Sequence, residues 1–340
     1  MNKENITSSH VAKLAGVSQS AVSRVFTEGA SVSPKMAEKV KKAAAELGYR
    51  PNVLARSLIT GRSNIIGLVV AYLENQFYPE AIEKLSNSLK NRGYHVLIFM
   101  STLAADNIDQ LLEELLDYQV DGIVIASASM SSTLATRCES AGVPVVLFNR
   151  NQEDERLSSV TSDNVMGGIK IAKFLIAGGH KKIAHIAGWE DTSTQLDREK
   201  GFIAGLHQAG YELYAREKGE YNFEKAQAAT RRMFANKDRP DAVFVANDHM
   251  AMAVMDVLRF ELDIKIPEDV SVIGYDDVTL AAWASFSLTT LRQPSNRMVE
   301  ETVNILMSHI KDGDDKPRQV TIDGPLIVRK SARIPEGWHE

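Results

Sequence analysis

Four polar residues stand where an apolar run gives way to polar sequence. V-T-S-D-N (160–164) carries Asp163, V-A-N-D (245–248) carries Asn247 and Asp248, and V-I-G-Y-D-D (272–277) carries Asp276, while D-R-E-K-G-F (197–202) places Arg198 at a helix start. Carboxylates accept hydrogen bonds from hydroxyls, and a guanidinium donates several in a fixed fork. The set therefore suits a polyhydroxylated small molecule. Each acid or amide, taken singly, also reads as a helix N-cap, and both roles can coexist. A second set lies near the N-terminus, where Gln19, Ser20, Ser23 and Arg24 share the polar side of one short helical stretch. Gln can pair bidentately with adenine, Arg can reach guanine or phosphate, and Ser can donate or accept, so these residue types suit base edges in a major groove.

The elements that position the second set are short helices. Thr7, Ser8 and Ser9 offer cap oxygens before Val11, Leu14 and Ala15, and Gly16 supplies a turn. Ser18 can cap a helix from Gln19, and a third helix runs from about Ser33 to Leu47, with Pro34 at its first position and Gly48 at its end. Helix, glycine turn, helix and supporting helix form the helix-turn-helix arrangement. Charge agrees. Residues 1–62 hold ten Lys/Arg against four acids, a net +6, whereas the remainder carries −11 of the overall −5. A basic head on an acidic body fits a chain of which only the head meets phosphates.

From Asn64 the texture changes to short apolar runs (beginning at Ile65, His95, Asp121, Val143, Lys181, Asp241 and Val270) with amphipathic helices between them. Runs of this kind predict parallel sheets covered on both faces, here two doubly wound units in tandem. A ligand cleft then falls at the carboxyl ends of the strands.

Other classes find little support. There is no G-x-G-x-x-G after the first strand, no nucleotide P-loop and no G-x-S-x-G elbow, and the eight His are scattered without a ligand constellation. No catalytic pair is visible, no metal or cofactor is implied, and the chain is not expected to be an enzyme. The single Cys138 reads as a small buried hydrophobe. The first twelve residues lack a signal peptide's apolar run, and no stretch reaches the ~20 apolar residues of a membrane span. A cytoplasmic protein without a membrane partner is expected.

V-A-K-L-A-G-V-S-Q-S-A-V-S-R-V-F (11–26), V-S-P-K (32–35) and A-A-E-L-G-Y-R-P-N (44–52) together resemble the DNA-binding domain of the LacI/GalR family of bacterial transcription repressors. His10 departs from the acidic residue usual there, and a weaker helix cap is expected from it. The resemblance continues into N-V-L-A-R-S-L-I-T-G-R-S (52–63), which is similar to the family's hinge helix. It implies that Asn52, Ala55 and Leu58 meet DNA, with Leu58 at the position of an apolar minor-groove wedge. It extends over the remainder as a periplasmic-binding-protein-like core. There Asp163, Arg198, Asn247 or Asp248, and Asp276 match positions that bind the effector or brace those that do, and Phe77 matches an aromatic able to pack on a ring. Tyr221, Trp189 and Phe286 are further candidates.

The expected organisation is a helix-turn-helix domain over 1–51, a hinge over 52–63 and a two-lobed effector and dimerisation domain over 64–340. The lobes divide as 64–163 with 291–322 and 164–290 with 323–340, the chain crossing near Asp163, Thr290 and Asp323. The family implies a homodimer on a palindromic operator, controlled by a small polar effector, with a sugar or sugar derivative expected. Two alternatives are a transporter's solute receptor, which has no use for the first sixty residues, and a sugar enzyme, which needs catalytic groups not seen here. The C-terminal segment from Gly324 has no leucine heptad for a coiled-coil tetramer.

Overall fold

A computed structural model describes residues 6–27, 30–50, 62–71, 73–100, 105–126, 130–152 and 154–338, apart from the side chains of 105–109. The chain divides into two compact units, Met1–Ser63 and Asn64–Glu340.

The first unit contains α1 (Ser8–Ala15), α2 (Gln19–Val25) and α3 (Pro34–Leu47). Gly16 ends α1 at φ 65°, a left-handed conformation that a residue without Cβ adopts at little cost. Ser18 caps α2 by accepting from the Ala21 N–H at 3.2 Å, and Ser33 caps α3 from the Met36 N–H. Val11, Val22 and Val40, one from each helix, close a small core with Ala12, Ala43 and Ala44. At His10, where a weaker cap is expected, the capping bond still forms. The Thr7 N–H donates to His10 Nδ1 at 3.1 Å. A ring nitrogen without a proton accepts this bond where an acid usually does, though without an acid's negative charge.

In the second unit the first sheet comprises β1 (Ile65–Val70), β2 (His95–Met100), β3 (Gly122–Ala126), β4 (Val145–Phe148), β5 (Ser158–Ser162) and β11 (Gln319–Ile322), ordered β11-β5-β4-β3-β1-β2. Every pairing in it is parallel. Its helices are α4 (Phe77–Lys90), α5 (Ala105–Asp117), α6 (Ser132–Ser140) and α11 (Ser295–Asp312). The second sheet comprises β6 (Ile183–Ala187), β7 (Ala215–Lys218), β8 (Ala242–Val245), β9 (Ser271–Asp276), β10 (Thr289–Arg292) and β12 (Leu326–Ile327), ordered β12-β10-β9-β8-β6-β7. It carries α7 (Asn164–Ala177), α8 (Ser193–Gln208), α9 (Phe223–Met233) and α10 (Asp248–Asp256), and its β10–β12 pair is antiparallel.

The central strands of both sheets are buried on both faces, as the unalternating apolar runs require, while β2 and β7 at the edges are not. Along β1, Ile66, Leu68 and Val70 enter one apolar cluster and Val69 another; along β8, Val243 and Val245 face away from Ala242 and Phe244. The chain passes between the sheets after β5, β10 and β11. The second passage lies later than expected. β10 still pairs at Leu291 and Arg292, with Tyr275 and Asp276 of β9, so both residues belong to the second sheet and the chain leaves it at Gln293.

Candidate functional site

Strand ends of both sheets converge on a cavity of about 190 Å³. Glu74 and Asn75 from the segment after β1, Tyr78 of α4, and Asn149 and Arg150 after β4 line it from the first sheet. Trp189 after β6, Thr194 and Arg198 of α8, Glu220, Tyr221 and Asn222 after β7, Asn247 after β8 and Asp276 at the end of β9 line it from the second. Its backbone is unusual. Asn149, Glu220, Tyr221 and Asp276 all have positive φ, at 59°, 51°, 55° and 124°. Side-chain-bearing residues hold such conformations at a cost, and they cluster where a site needs them.

Arg198 is fixed from several sides. α7 and α8 approach so closely at Gly168 and Gly201 that a Cβ on Gly201 would lie 2.0 Å from the Val165 carbonyl oxygen. This approach sets Arg198 Nε 2.9 Å from Asn164 Oδ1, while Nη1 donates to the Ala246 carbonyl at 2.6 Å and Nη2 to Asp276 at 3.5 Å. The guanidinium lies 3.7 Å from the centre of the Tyr275 ring. Burial opposes its charge, but Asp276 and the neighbouring phenols outweigh burial and hold its pKa above the usual value.

Asp276 joins three parts of the unit. It accepts from Arg198, from Asn75 at 2.8 Å and from Gln293, in the passage between sheets, at 2.6 Å. Burial nevertheless raises its pKa, with Arg198, Asn75 and Gln293 opposing. Beside it Asp248 accepts from the Thr290 hydroxyl at 2.6 Å and the Val278 N–H at 3.0 Å. Burial first, and the Asp276 charge second, push Asp248 well above the ordinary carboxylate range. Two further bonds cross from sheet to sheet beside the cavity, from Arg150 Nη1 to the Thr194 hydroxyl and from the Asn151 N–H to Ser193 Oγ.

Behind Trp189 a buried relay fixes the wall. His185 Nδ1 faces the Phe244 carbonyl at 3.0 Å and its Nε2 faces Gln195, whose Oε1 accepts from the Gly188 N–H at 2.6 Å. Burial brings the His185 pKa down to about 4, so the ring is neutral at pH 7.

The structure brings Arg198, Asn247, Asp276 and Tyr221 together at the cavity, with Trp189. Phe77 is absent from its lining. It is buried beside Phe148, with ring centres 6.1 Å apart, and the next residue, Tyr78, takes the place at the wall. Asp163 is also absent from the lining; its Oδ1 caps α7 by accepting from the Met166 N–H at 2.9 Å. Phe286 packs half-buried against the apolar core and does not reach the cavity. Sequence reasoning missed Glu74, Asn75, Asn149, Arg150 and Thr194, although the strand-end rule that found Asn247 applies equally to the Asn149–Arg150 pair after β4.

In the first unit Gln19, Ser20, Ser23 and Arg24 are all exposed on α2, while Ala21 and Val22 turn inward. Gln19 Nε2 donates to Ser8 Oγ at 2.9 Å and Ser20 Oγ contacts Ser18 Oγ at 2.9 Å. Asn52, Ala55 and Leu58 lie outside the described residues. Among those residues, no group of three or more His, Cys, Asp or Glu could hold a metal ion. No described helix is long and apolar enough to cross a membrane.

A helix-turn-helix unit with an exposed polar face on its second helix, in one chain with a two-sheet unit around a polar cavity, defines the class of ligand-responsive DNA-binding regulators. The family described as bacterial regulatory proteins, lacI family, matches residues 9–52, and the periplasmic binding protein-like domain matches 172–332. The chain is 34% identical to the HTH-type transcriptional regulator CelR of Thermobifida fusca, over 94% of this chain and 96% of that protein. It is 31% identical to the ribose operon repressor of Escherichia coli, over 96% and 99%. Its structure resembles a CelR–cellobiose complex (TM-score 0.73, 32% identity, 96% of this chain and 100% of that one). It also resembles the Lac repressor dimer bound to operator and the anti-inducer ONPF (TM-score 0.87, 26% identity, 96% and 99%). The chain belongs to the LacI family of bacterial transcriptional regulators and is a DNA-binding protein, not an enzyme.

Proposed function

We propose that this regulator is a cytoplasmic repressor that binds a palindromic operator as a homodimer and responds to a single-ring, polyhydroxylated effector held in the cavity between its two sheets. The observation that carries the reading is the convergence of Arg198, Asn247, Asp276 and Tyr221 on one cavity of about 190 Å³. A cavity of about 150 Å³ accepts one benzene ring, so this one suits a single substituted ring. The relatives support a sugar, since one is named for the ribose operon and another was solved with cellobiose. The Lac repressor, solved as a dimer on its operator, supports the DNA geometry. Gln19, Ser20, Ser23 and Arg24 would then read bases from two successive major grooves. Asn52, Ala55 and Leu58 would meet the centre of the site as hinge residues. A ligand that binds one lobe arrangement more tightly than another shifts the balance between DNA-competent and DNA-incompetent forms.

A thermal-shift panel of pentoses, hexoses, their acids, polyols and nucleosides tests the cavity assignment. A ligand at 100 times its dissociation constant stabilises by about 2.7 kcal/mol. A raised melting temperature with a single-ring sugar derivative is expected, and it should vanish in Arg198→Lys, which keeps the charge but loses the fork. Stabilisation by sugars that survives in that variant would move the site elsewhere.

A further inference from the structure

Among the described residues, one charge of the cavity has no acidic partner. Arg150 is only 6% exposed. Its Nη1 donates to the Thr194 hydroxyl and, at 3.4 Å, to the Asn149 carbonyl; Nε and Nη2 have no acceptor among the described residues. The carboxylates of the cavity are engaged elsewhere. Asp276 takes Arg198, Asn75 and Gln293, and Glu220 pairs with Lys225. The Glu74 side chain is 67% exposed and lies 4.0 Å from His249. A buried guanidinium lacking a counter-ion is costly, and a bound anion removes the cost.

Asn247 adds a second unmet donor. Its Oδ1 accepts from the Met250 N–H at 3.0 Å, which fixes the orientation of the amide. The Nδ2 group is therefore a donor, on a residue 1% exposed, and it has no partner. Asn149 Oδ1 is buried and unpartnered as well, and calls for a hydroxyl or N–H from a ligand. One cation, one amide donor and one acceptor thus remain for an occupant. We propose that Arg150 makes this an acid-selective site, and that the effector is a monosaccharide acid whose carboxylate pairs with Arg150 while its hydroxyls meet Asn149 and Asn247. The proposal rests on the reading of the cavity as the effector site. A carboxylate fits better than a phosphate ester, which brings a charge of about −1.5 to −2 against a single unpaired guanidinium. Glu74 and Glu220 in the same lining oppose the excess.

Isothermal titration of the full chain with matched sets tests this: glucose, gluconate, glucuronate and glucose 6-phosphate, then the galactose and ribose counterparts. At least one carboxylate should bind about tenfold or more tightly than both its neutral parent and its phosphate ester. Arg150→Gln should bring acid and parent within about threefold, while Arg150→Lys keeps a clear preference for the acid. Unliganded Arg150→Gln should melt no lower than the unliganded parent, because it buries no unpaired charge. A lower melting point with the preference intact would make Arg150 a structural clasp and overturn the proposal. Neutral sugars binding as well as acids, in a manner lost in Arg198→Lys, would keep the effector site and discard acid selectivity. A phosphate ester binding tightest would discard the carboxylate. Failure of every sugar and acid to bind would remove both the site and the proposal.

Discussion

At the residue scale, the side chains of interest divide into the exposed polar set on α2 and those that surround the cavity. Arg24 is exposed on α2 and its side chain makes no hydrogen bond among the described residues, so its guanidinium is available to a base or phosphate. A good base contact is worth about 1–3 kcal/mol. Arg24→Ala should weaken specific DNA binding by roughly ten- to a hundredfold in fluorescence anisotropy, with effector affinity unchanged by calorimetry. Equal DNA affinity would remove α2 from the groove. Asp248 makes a different prediction. Its folded pKa is raised by burial, so the stability it contributes is present at low pH and is lost as pH rises through that raised value. Asparagine can still accept from Val278 and can donate to Thr290. Asp248→Asn should therefore gain on the parent in melting temperature as pH rises from about 4 to 7. A difference that stays flat with pH would mean the carboxyl is ionised at no cost.

Residue-level chemistry was only partly legible. Asn247 and Asp276 follow from the rule that strand ends converge in this architecture, whereas Arg198, read at a helix start, and Tyr221, a further aromatic candidate, do not. Phe77 was misplaced by one position. A helix start can turn either of two adjacent aromatics inward, and only packing against Phe148 decides that it is Phe77. Asp163 shows why one acid has two readings, since its cap bond to Met166 uses the geometry that suggested a ligand. Arg150 was missed although the strand-end rule reaches it, because a charge beside an apolar strand ordinarily reads as surface.

At the element scale, the three N-terminal helices were legible almost to the residue, because Ser18, Ser33, Pro34, Gly16 and Gly48 mark their ends chemically. The apolar strands were equally plain. β5 was not: S-S-V-T-S is polar, yet it is buried throughout, its hydroxyls bonded to neighbours such as His309 and Asn151. β7, A-R-E-K, is an edge strand with a charged face and lacks an apolar signature. α10 is α-helical only to Asp256 and runs on as a π-turn over Val257–Glu261. Close packing of α7 on α8 is the element-level device that holds the site. Gly201→Ala would drive a Cβ into the Val165 backbone. Overpacking typically costs about 1–3 kcal/mol, and here it would also displace Arg198 from Asn164. The variant should melt lower and bind the effector more weakly; wild-type affinity would show that the helix approach does not position Arg198.

At the scale of the whole molecule, the large unit leaves apolar side chains uncovered. Ile98 and Met100 stand out from edge strand β2, and Phe260 is 81% exposed beyond α10. Such exposure fits a surface covered in a dimer. Phe260→Asp should shift the protein toward monomer in sedimentation and weaken operator binding, since a palindrome rewards two reading heads together. A dimer of unchanged affinity would place the interface elsewhere. The two-unit plan was legible from the charge division at Arg62 and the change in texture at Asn64, both local features of sequence. The exposed apolar surface was not, because its residues read simply as strand and helix interior.

Control of DNA binding by a cavity ligand requires coupling between the two units. The direct test is anisotropy of a palindromic DNA selected with the full-length protein, titrated with protein alone and with protein saturated by the best-binding sugar or sugar acid of the panel. A shift of at least about tenfold in DNA affinity is expected, in either direction, and Arg198→Lys should abolish it, since a coupling free energy of 1–3 kcal/mol is typical of linked sites. DNA affinity that remains the same with the cavity saturated would contradict the account, leaving a DNA-binding protein whose cavity does not control it.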